Sequence, residues 1–209
     1  MIKLESNIMK IEKYLERVNQ LCKNKTHAVD IGANVGRVSN ILFDMGWKKV
    51  TAFEPTPTIF ERLVENTKDK NIVNHKLGVS NKEGEAHFSI NSDTESNQET
   101  NQIVSQGFQK KRWNVETIKT VTLDQMNLDQ MDFLKIDVEG HEKYVVEGAE
   151  QTIKKYKPII VLEVSFEKKV YDKKISQDHK KALDILLNWG YNIDMKTVHD
   201  YVLLPGDKN

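Results

Sequence analysis

The sequence predicts an α/β protein: a mostly parallel sheet with helices packed on both faces. Three observations carry that prediction. Short apolar runs at 27–31, 133–137 and 159–164 have the length of buried strands and are too short for core helices. Between such runs, 37–45, 57–67 and 143–156 place apolar side chains at helical spacing. Strand and helix therefore alternate, and a strand that rejoins its own sheet through a helix makes a right-handed parallel crossover.

In chain order, residues 1–24 form an amphipathic helix, with Leu4, Ile8, Ile11, Leu15, Val18 and Leu21 as its stripe. Charges interrupt that stripe too often for a signal peptide. The strand 27–31 stops at glycine and gives way to the helix 37–45. A second strand, 49–53, ends at Glu54 and Pro55, and the helix 57–67 carries Ile59, Phe60, Leu63 and Val64 on one side. A third strand spans 72–79 and closes with Gly78 and Val79. The rhythm then breaks at 81–121, where 85–90 and 117–121 alternate like the strands of an inserted hairpin. Its tip, 91–102, is polar enough to be mobile. The next stretch, 108–113, mixes aromatics with Lys110, Lys111 and Arg112, as a solvated loop anchored by Trp113 or as a lid over an acceptor.

From 132 the alternation resumes with strand 133–137, helix 143–156, strand 159–164 and helix 177–189. Two final strands, 192–195 and 201–204, are joined by a link too short for a parallel return, so they pair antiparallel. That makes seven core strands in one domain, with the hairpin inserted between the third and fourth. The charge runs at 168–174 and 180–181 read as wet surface.

At 209 residues the chain is long enough to bury about 70% of its unfolded surface and needs no covalent staple. The single cysteine, Cys22, leaves no internal disulfide, which points to a reducing, cytoplasmic setting. The 31 Lys and Arg balance the 31 Asp and Glu, so no net field draws the protein to nucleic acid or an anionic membrane. Apolar runs such as 158–162 are too short to insert into a bilayer.

Two constellations carry chemistry. The first is the turn from Asp30 through Gly32, Asn34 and Gly36, where a strand becomes a helix. Glycine there permits positive φ, and the helix start offers amide donors to a carboxylate-bearing group. Glu54, at the tip of the next strand, can accept hydrogen bonds from both hydroxyls of a ribose. Together they predict a nucleoside site, with Pro55, Gly78 and Val79 as further contacts. A dinucleotide fingerprint wants glycine at 32, 34 and 37, whereas Asn34 and Arg37 occupy the last two places.

The second constellation ends the strand 133–137 with Asp137, Glu139 and His141, and Glu163 closes the following strand in the same way. Adjacent parallel strands bring these groups to one crevice. Crowded carboxylates need donors, a metal or a cationic ligand as company, so Asp137 belongs with both cofactor and chemistry. His141 could serve as a general base oriented by Glu139 or Glu163, or as a helix-start residue bonded to backbone. A divalent metal on Asp137 and Glu163 is open, two ligands being too few to define a site.

These segments, with Thr122-Leu123-Asp124 before and Glu147-Gly148-Ala149 and Pro158 after, resemble the FkbM-like family of O-methyltransferases. The likeness runs from about residue 28 to 165, takes in the turn 79–84, and is carried most specifically by Lys135-Ile136-Asp137-Val138-Glu139-Gly140-His141-Glu142. It implies a Rossmann-like class I methyltransferase fold, S-adenosylmethionine as donor with its methionine part over the first turn, and a hydroxyl acceptor on a sugar, glycan precursor or small metabolite. Residues 91–113 agree little with the family. A base-modifying enzyme would carry an Asn/Asp-Pro-Pro-aromatic string in place of Asp137-Val138-Glu139-Gly140, so a nucleic-acid acceptor is not expected. A nicotinamide-dependent oxidoreductase and a non-catalytic nucleoside-binding descendant stay open as alternatives, as does a homo-oligomer.

Overall fold

The structure is a computed structural model that describes residues 2–91, 102–104, 113–164 and 179–206. The polar tip, the basic stretch before Trp113 and the charge run at 168–174 lie outside the described residues.

The chain runs α1 (Ile2–Leu21), β1 (His27–Ile31), α2 (Arg37–Asp44), β2 (Lys49–Phe53), α3 (Pro57–Thr67), β3 (Ile72–His75), β4 (Gly78–Val79), β5 (Gly84–Asn91), β6 (Gln102–Val104) and β7 (Trp113–Val121). It continues through β8 (Phe133–Ile136), α4 (Glu142–Glu147), α5 (Glu150–Tyr156), β9 (Ile159–Glu163), α6 (His179–Asn188), β10 (Tyr191–Lys196) and β11 (Asp200–Pro205). Seven strands form the main sheet in the order β3-β2-β1-β8-β9-β11-β10. Pairing is parallel from β3 to β9; β11 is antiparallel to both of its neighbours, as its short link to β10 requires.

The sheet is built outward in both directions from β1, towards β2 on one side and β8 on the other. Successive crossovers leave the sheet on opposite sides of that point, and in open α/β sheets ligands bind beyond the carboxyl ends of the strands there, here β1 and β8. Side chains alternate across the sheet. Val29, Ile31, Leu134, Ile136, Ile160 and Leu162 pack under α4, α5 and α6. Ala28, Val50, Ala52, Phe133, Val161 and Val202 pack under α1, α2 and α3, where Tyr14, Leu15 and Val18 represent the first helix. Arg17 fixes that helix to the final hairpin, its Nε and Nη2 donating to Asp194 at 2.7 and 2.6 Å.

Two expected elements are divided. The run 72–79 is two strands: β3 pairs with β2, but Gly78 and Val79 leave the main sheet and pair parallel with Thr120 and Val121. They form the edge of a second, four-stranded sheet, β4-β7-β5-β6. Alternation continued through 76–77 although the hydrogen-bonding partner changed, so periodicity alone carried no sign of the break. The insert contains the expected antiparallel pair, β5 and β7, from Gly84 and Thr120 to Asn91 and Trp113, but Trp113, expected in a loop, lies in β7, and a third strand, β6, not foreseen from the sequence, pairs with β5.

The helix expected over 143–156 breaks at Gly148. A Cβ there would lie 1.9 Å from the Ser80 carbonyl oxygen, because the strand leaving β4 crosses the helix at that point. The second half, α5, has its own cap. Asp124 accepts the backbone N–H of Gln151 at 3.1 Å and of Thr152 at 2.8 Å, two of the donors that a helix start leaves without an internal partner.

Candidate functional site

The turn after β1 folds by spending its own amides. Gly32 and Ala33 donate to the Phe53 carbonyl, Asn34 to Glu54, Val35 to the Asn34 side chain, and Gly36 to the Ala33 carbonyl. Donors for an anion therefore come from the start of α2, at Arg37 and beyond, where no preceding turn exists to receive them. Gly32, Asn34 and Gly36 all have positive φ, at 81, 50 and 84°. The two glycines are required by the protein itself. A Cβ at Gly32 would sit 1.8 Å from the Asp137 carbonyl oxygen, and one at Gly36 would meet Leu63 at 2.7 Å.

Glu54 stands at the tip of β2, 6% exposed. Its Oε2 accepts the Asn34 amide at 3.1 Å and its Oε1 the Thr56 amide at 2.9 Å. Each oxygen keeps a second lone pair. Burial pushes the carboxyl above its ordinary range, against the pull of those amides and of the Thr56 hydroxyl. Pro55 sets the bend that turns Thr56 back towards Glu54, and it stays half-buried. Gly78 and Val79 are buried, and the Val79 side chain lies in the core.

Asp30 is fully buried, its Oδ2 accepting the Ser39 hydroxyl at 2.7 Å. Parallel register sets Lys135 of β8 beside it. The Lys135 ammonium lies 3.4 Å from Asp30 Oδ1 and 3.2 Å from Asp137 Oδ2, and donates to the Gly32 carbonyl at 3.5 Å. Desolvation alone would lower its pKa; Asp137 and Asp30 outweigh that and hold it well above the usual lysine range. Tyr14 of α1 and Asp200 of β11 interact electrostatically with the same ammonium, and burial raises the pKa of each. Sequence reasoning missed Lys135. The signal was a charged residue inside a strand of otherwise apolar residues, which requires buried partners.

Asp137, Glu139 and Glu163 converge as the strand ends predicted: one oxygen from each lies within 4.8 Å of the others, a grouping that could hold a divalent cation. Glu139 reaches it from a left-handed backbone, φ 52°, followed by Gly140 at 104°. His141, 8% exposed, is not among the three. Its Nε2 lies 2.9 Å from the Ser80 hydroxyl, and its ring stacks on Tyr144 with centroids 4.6 Å apart. One partner is thus a side chain from the β4 connection, a residue that no sequence spacing linked to His141. Glu142 turns inward and accepts the Gly140 amide at 3.0 Å, which closes the loop into α4.

Comparison with known proteins bears on the family and the fold. The profile of the methyltransferase FkbM domain matches residues 30–193, from Asp30 into β10. The chain is 29% identical over 139 residues to hexuronic acid methyltransferase AglP of Haloferax volcanii, covering 63% of this chain and 53% of that protein. It thus spans about half the length of the curated relative it matches. Among solved structures, the FkbM methyltransferase of Methylobacillus flagellatus KT superposes with a TM-score of 0.56 at 17% identity, over 86% of this chain and 43% of that one. An rRNA methylase of Streptococcus thermophilus gives 0.52 at 10% identity, over 91% and 92%. Such likenesses carry the fold, which is the Rossmann-like class I methyltransferase fold. Among the described residues, no helix is long and apolar enough to cross a membrane.

Proposed function

The chain belongs to the FkbM methyltransferase family, and from that premise we propose that it transfers a methyl group from S-adenosylmethionine to a hydroxyl of a sugar or glycan precursor. Family membership replaces the nicotinamide-dependent alternative. The observation that carries the donor assignment is Glu54: a nearly buried carboxylate, pinned by two amides, with one lone pair left on each oxygen for the vicinal hydroxyls of a ribose. The amino-acid end of the donor would lie over the turn from Asp30 to Gly36, with its carboxylate at the start of α2. Asp137 and its neighbours give the crevice the negative charge that suits a sulfonium.

When bound, S-adenosylmethionine supplies an activated methyl group. The protein must then hold the acceptor oxygen in line behind it and accept a proton, and positioning alone can lower the barrier by several kcal/mol, on the order of 7–11. In this reading Glu139 and Glu163 orient the acceptor and take the proton, with Asp137 between them and the donor. His141 keeps its ring on Ser80 and holds the start of α4 against the β4 connection, so that Glu139 is correctly aimed. Support for a sugar acceptor comes from the name of the Haloferax relative, which acts on a hexuronic acid.

The test is incubation of the pure protein with methyl-labelled S-adenosylmethionine and a panel of hexuronic acids, neutral sugars, lipid-linked glycans and peptides. Label should appear as a methyl ether on a sugar; label on nitrogen alone, or only as a methyl ester on a hexuronic carboxyl, would overturn the proposal.

A further inference from the structure

A lysine that is 5% exposed, at the centre of a parallel sheet, is an unusual choice for stability. Replacing a whole buried ion cluster by packed apolar groups is often neutral or stabilising, whereas removing the lysine alone would leave Asp30 and Asp137 without this cation. The charge of Lys135 therefore asks for a use beyond packing. Its contacts supply one. The ammonium bridges the two strands that flank the crevice: Asp30 at the start of the turn, the Gly32 carbonyl within it, and Asp137 at the end of β8. The same two strands touch at Gly32 and the Asp137 carbonyl, where no side chain fits between them. A single cation thus sets both the turn and the carboxylate that face the proposed donor.

We infer that Lys135 is a positioning residue for the donor site, acting through Asp137 and the Gly32 turn without touching the ligand itself. The inference rests on the reading of the site as an S-adenosylmethionine pocket. Tyr14 from α1 and Asp200 from β11 also interact electrostatically with this ammonium. Asp30 stays on Ser39 as well, while Asp137, with a third of its side chain exposed, takes the Lys135 ammonium as one of its partners.

The experiment is calorimetric titration of S-adenosylhomocysteine into the full chain, as wild type, Lys135→Met, Asp137→Asn and the double variant, each well below its own melting temperature. Lys135→Met should weaken binding about tenfold or more, the equivalent in affinity of one charge-assisted hydrogen bond. The double variant should bind no more weakly than the worse single one, because both changes remove the same constraint. If Lys135→Met does not fold, Lys135→Met with Asp30→Asn removes one buried charge of each sign and is measured against the same standard. Wild-type affinity in a less stable Lys135→Met protein would reduce the residue to a structural ion pair and overturn the inference. So would losses that multiply in the double variant. Failure of the wild type to bind would instead sink the reading of the pocket, and this inference with it.

Discussion

Replacing Glu54 by Gln removes one charge and changes almost no volume, so its effect can be worked out from the bonds that Glu54 makes. Both carboxylate oxygens accept a backbone amide, from Asn34 at 3.1 Å and Thr56 at 2.9 Å. Glutamine has one acceptor oxygen. Its amide group must face one of those N–H donors, and a buried donor left without a partner costs about 1–3 kcal/mol. Against that, the buried charge disappears, and its cost is already visible in the raised pKa of the carboxyl. The two effects oppose each other, so the melting temperature should move by only a few degrees, roughly 2–4 °C for each kcal/mol at this size. Ligand binding has no such compensation. The variant loses one charge-assisted bond to a ribose hydroxyl, about 1.5–3 kcal/mol, which corresponds to roughly 10–150-fold in Kd for S-adenosylhomocysteine. Titration calorimetry reads the affinity and differential scanning calorimetry the stability. An unchanged Kd in a folded Glu54→Gln protein would refute the reasoning, because no other described group in this account recognises the ribose.

Further outcomes follow from the same structure. Because burial raises the Glu54 pKa above its ordinary 4.5, acidification should protonate it early, and affinity for S-adenosylhomocysteine should start to fall at a higher pH than an exposed glutamate would give; a flat affinity across that range would count against the assignment. Gly32→Ala adds strain at φ 81° and a contact of 1.8 Å with the Asp137 backbone, so it should cost more than about 3 kcal/mol and yield little folded protein on expression. Asp124→Ala removes the cap of α5 and should cost about 1 kcal/mol in urea denaturation, with binding unaltered. His27 is held neutral by burial, its ring between the Gln130 carbonyl and the Thr51 hydroxyl. Its pKa is lower folded than unfolded, so below the unfolded value, about 6.5, the unfolded chain binds the extra proton and stability declines as pH falls. His27→Gln should flatten the urea midpoint between pH 7.5 and 5.5.

Much of this architecture was written in local pattern. Alternating apolar runs identified the five parallel strands of the main sheet, and the short link around His199 forced the closing antiparallel pair. The site was legible where a motif ends a strand: Asp30, Glu54, Asp137, Glu139 and Glu163 all stand at carboxyl ends, and parallel pairing gathers such ends without further information. What stayed hidden depends on partners distant in sequence. The division of 72–79 follows from the pairing of Gly78 and Val79 with β7. The break at Gly148 follows from the passage of Ser80, and the Ser80 hydroxyl also decides where the His141 ring points. Lys135 is the clearest case. Its charge was visible in a buried strand, but its role depends on the register that sets it opposite Asp30.

The most direct test is a crystal structure of the protein grown with S-adenosylhomocysteine. The account predicts both ribose hydroxyls within hydrogen-bond distance of the Glu54 carboxylate and the homocysteine tail along residues 30–36. Adenosine lodged away from Glu54, with that carboxylate still bonded only to Asn34 and Thr56, would contradict it.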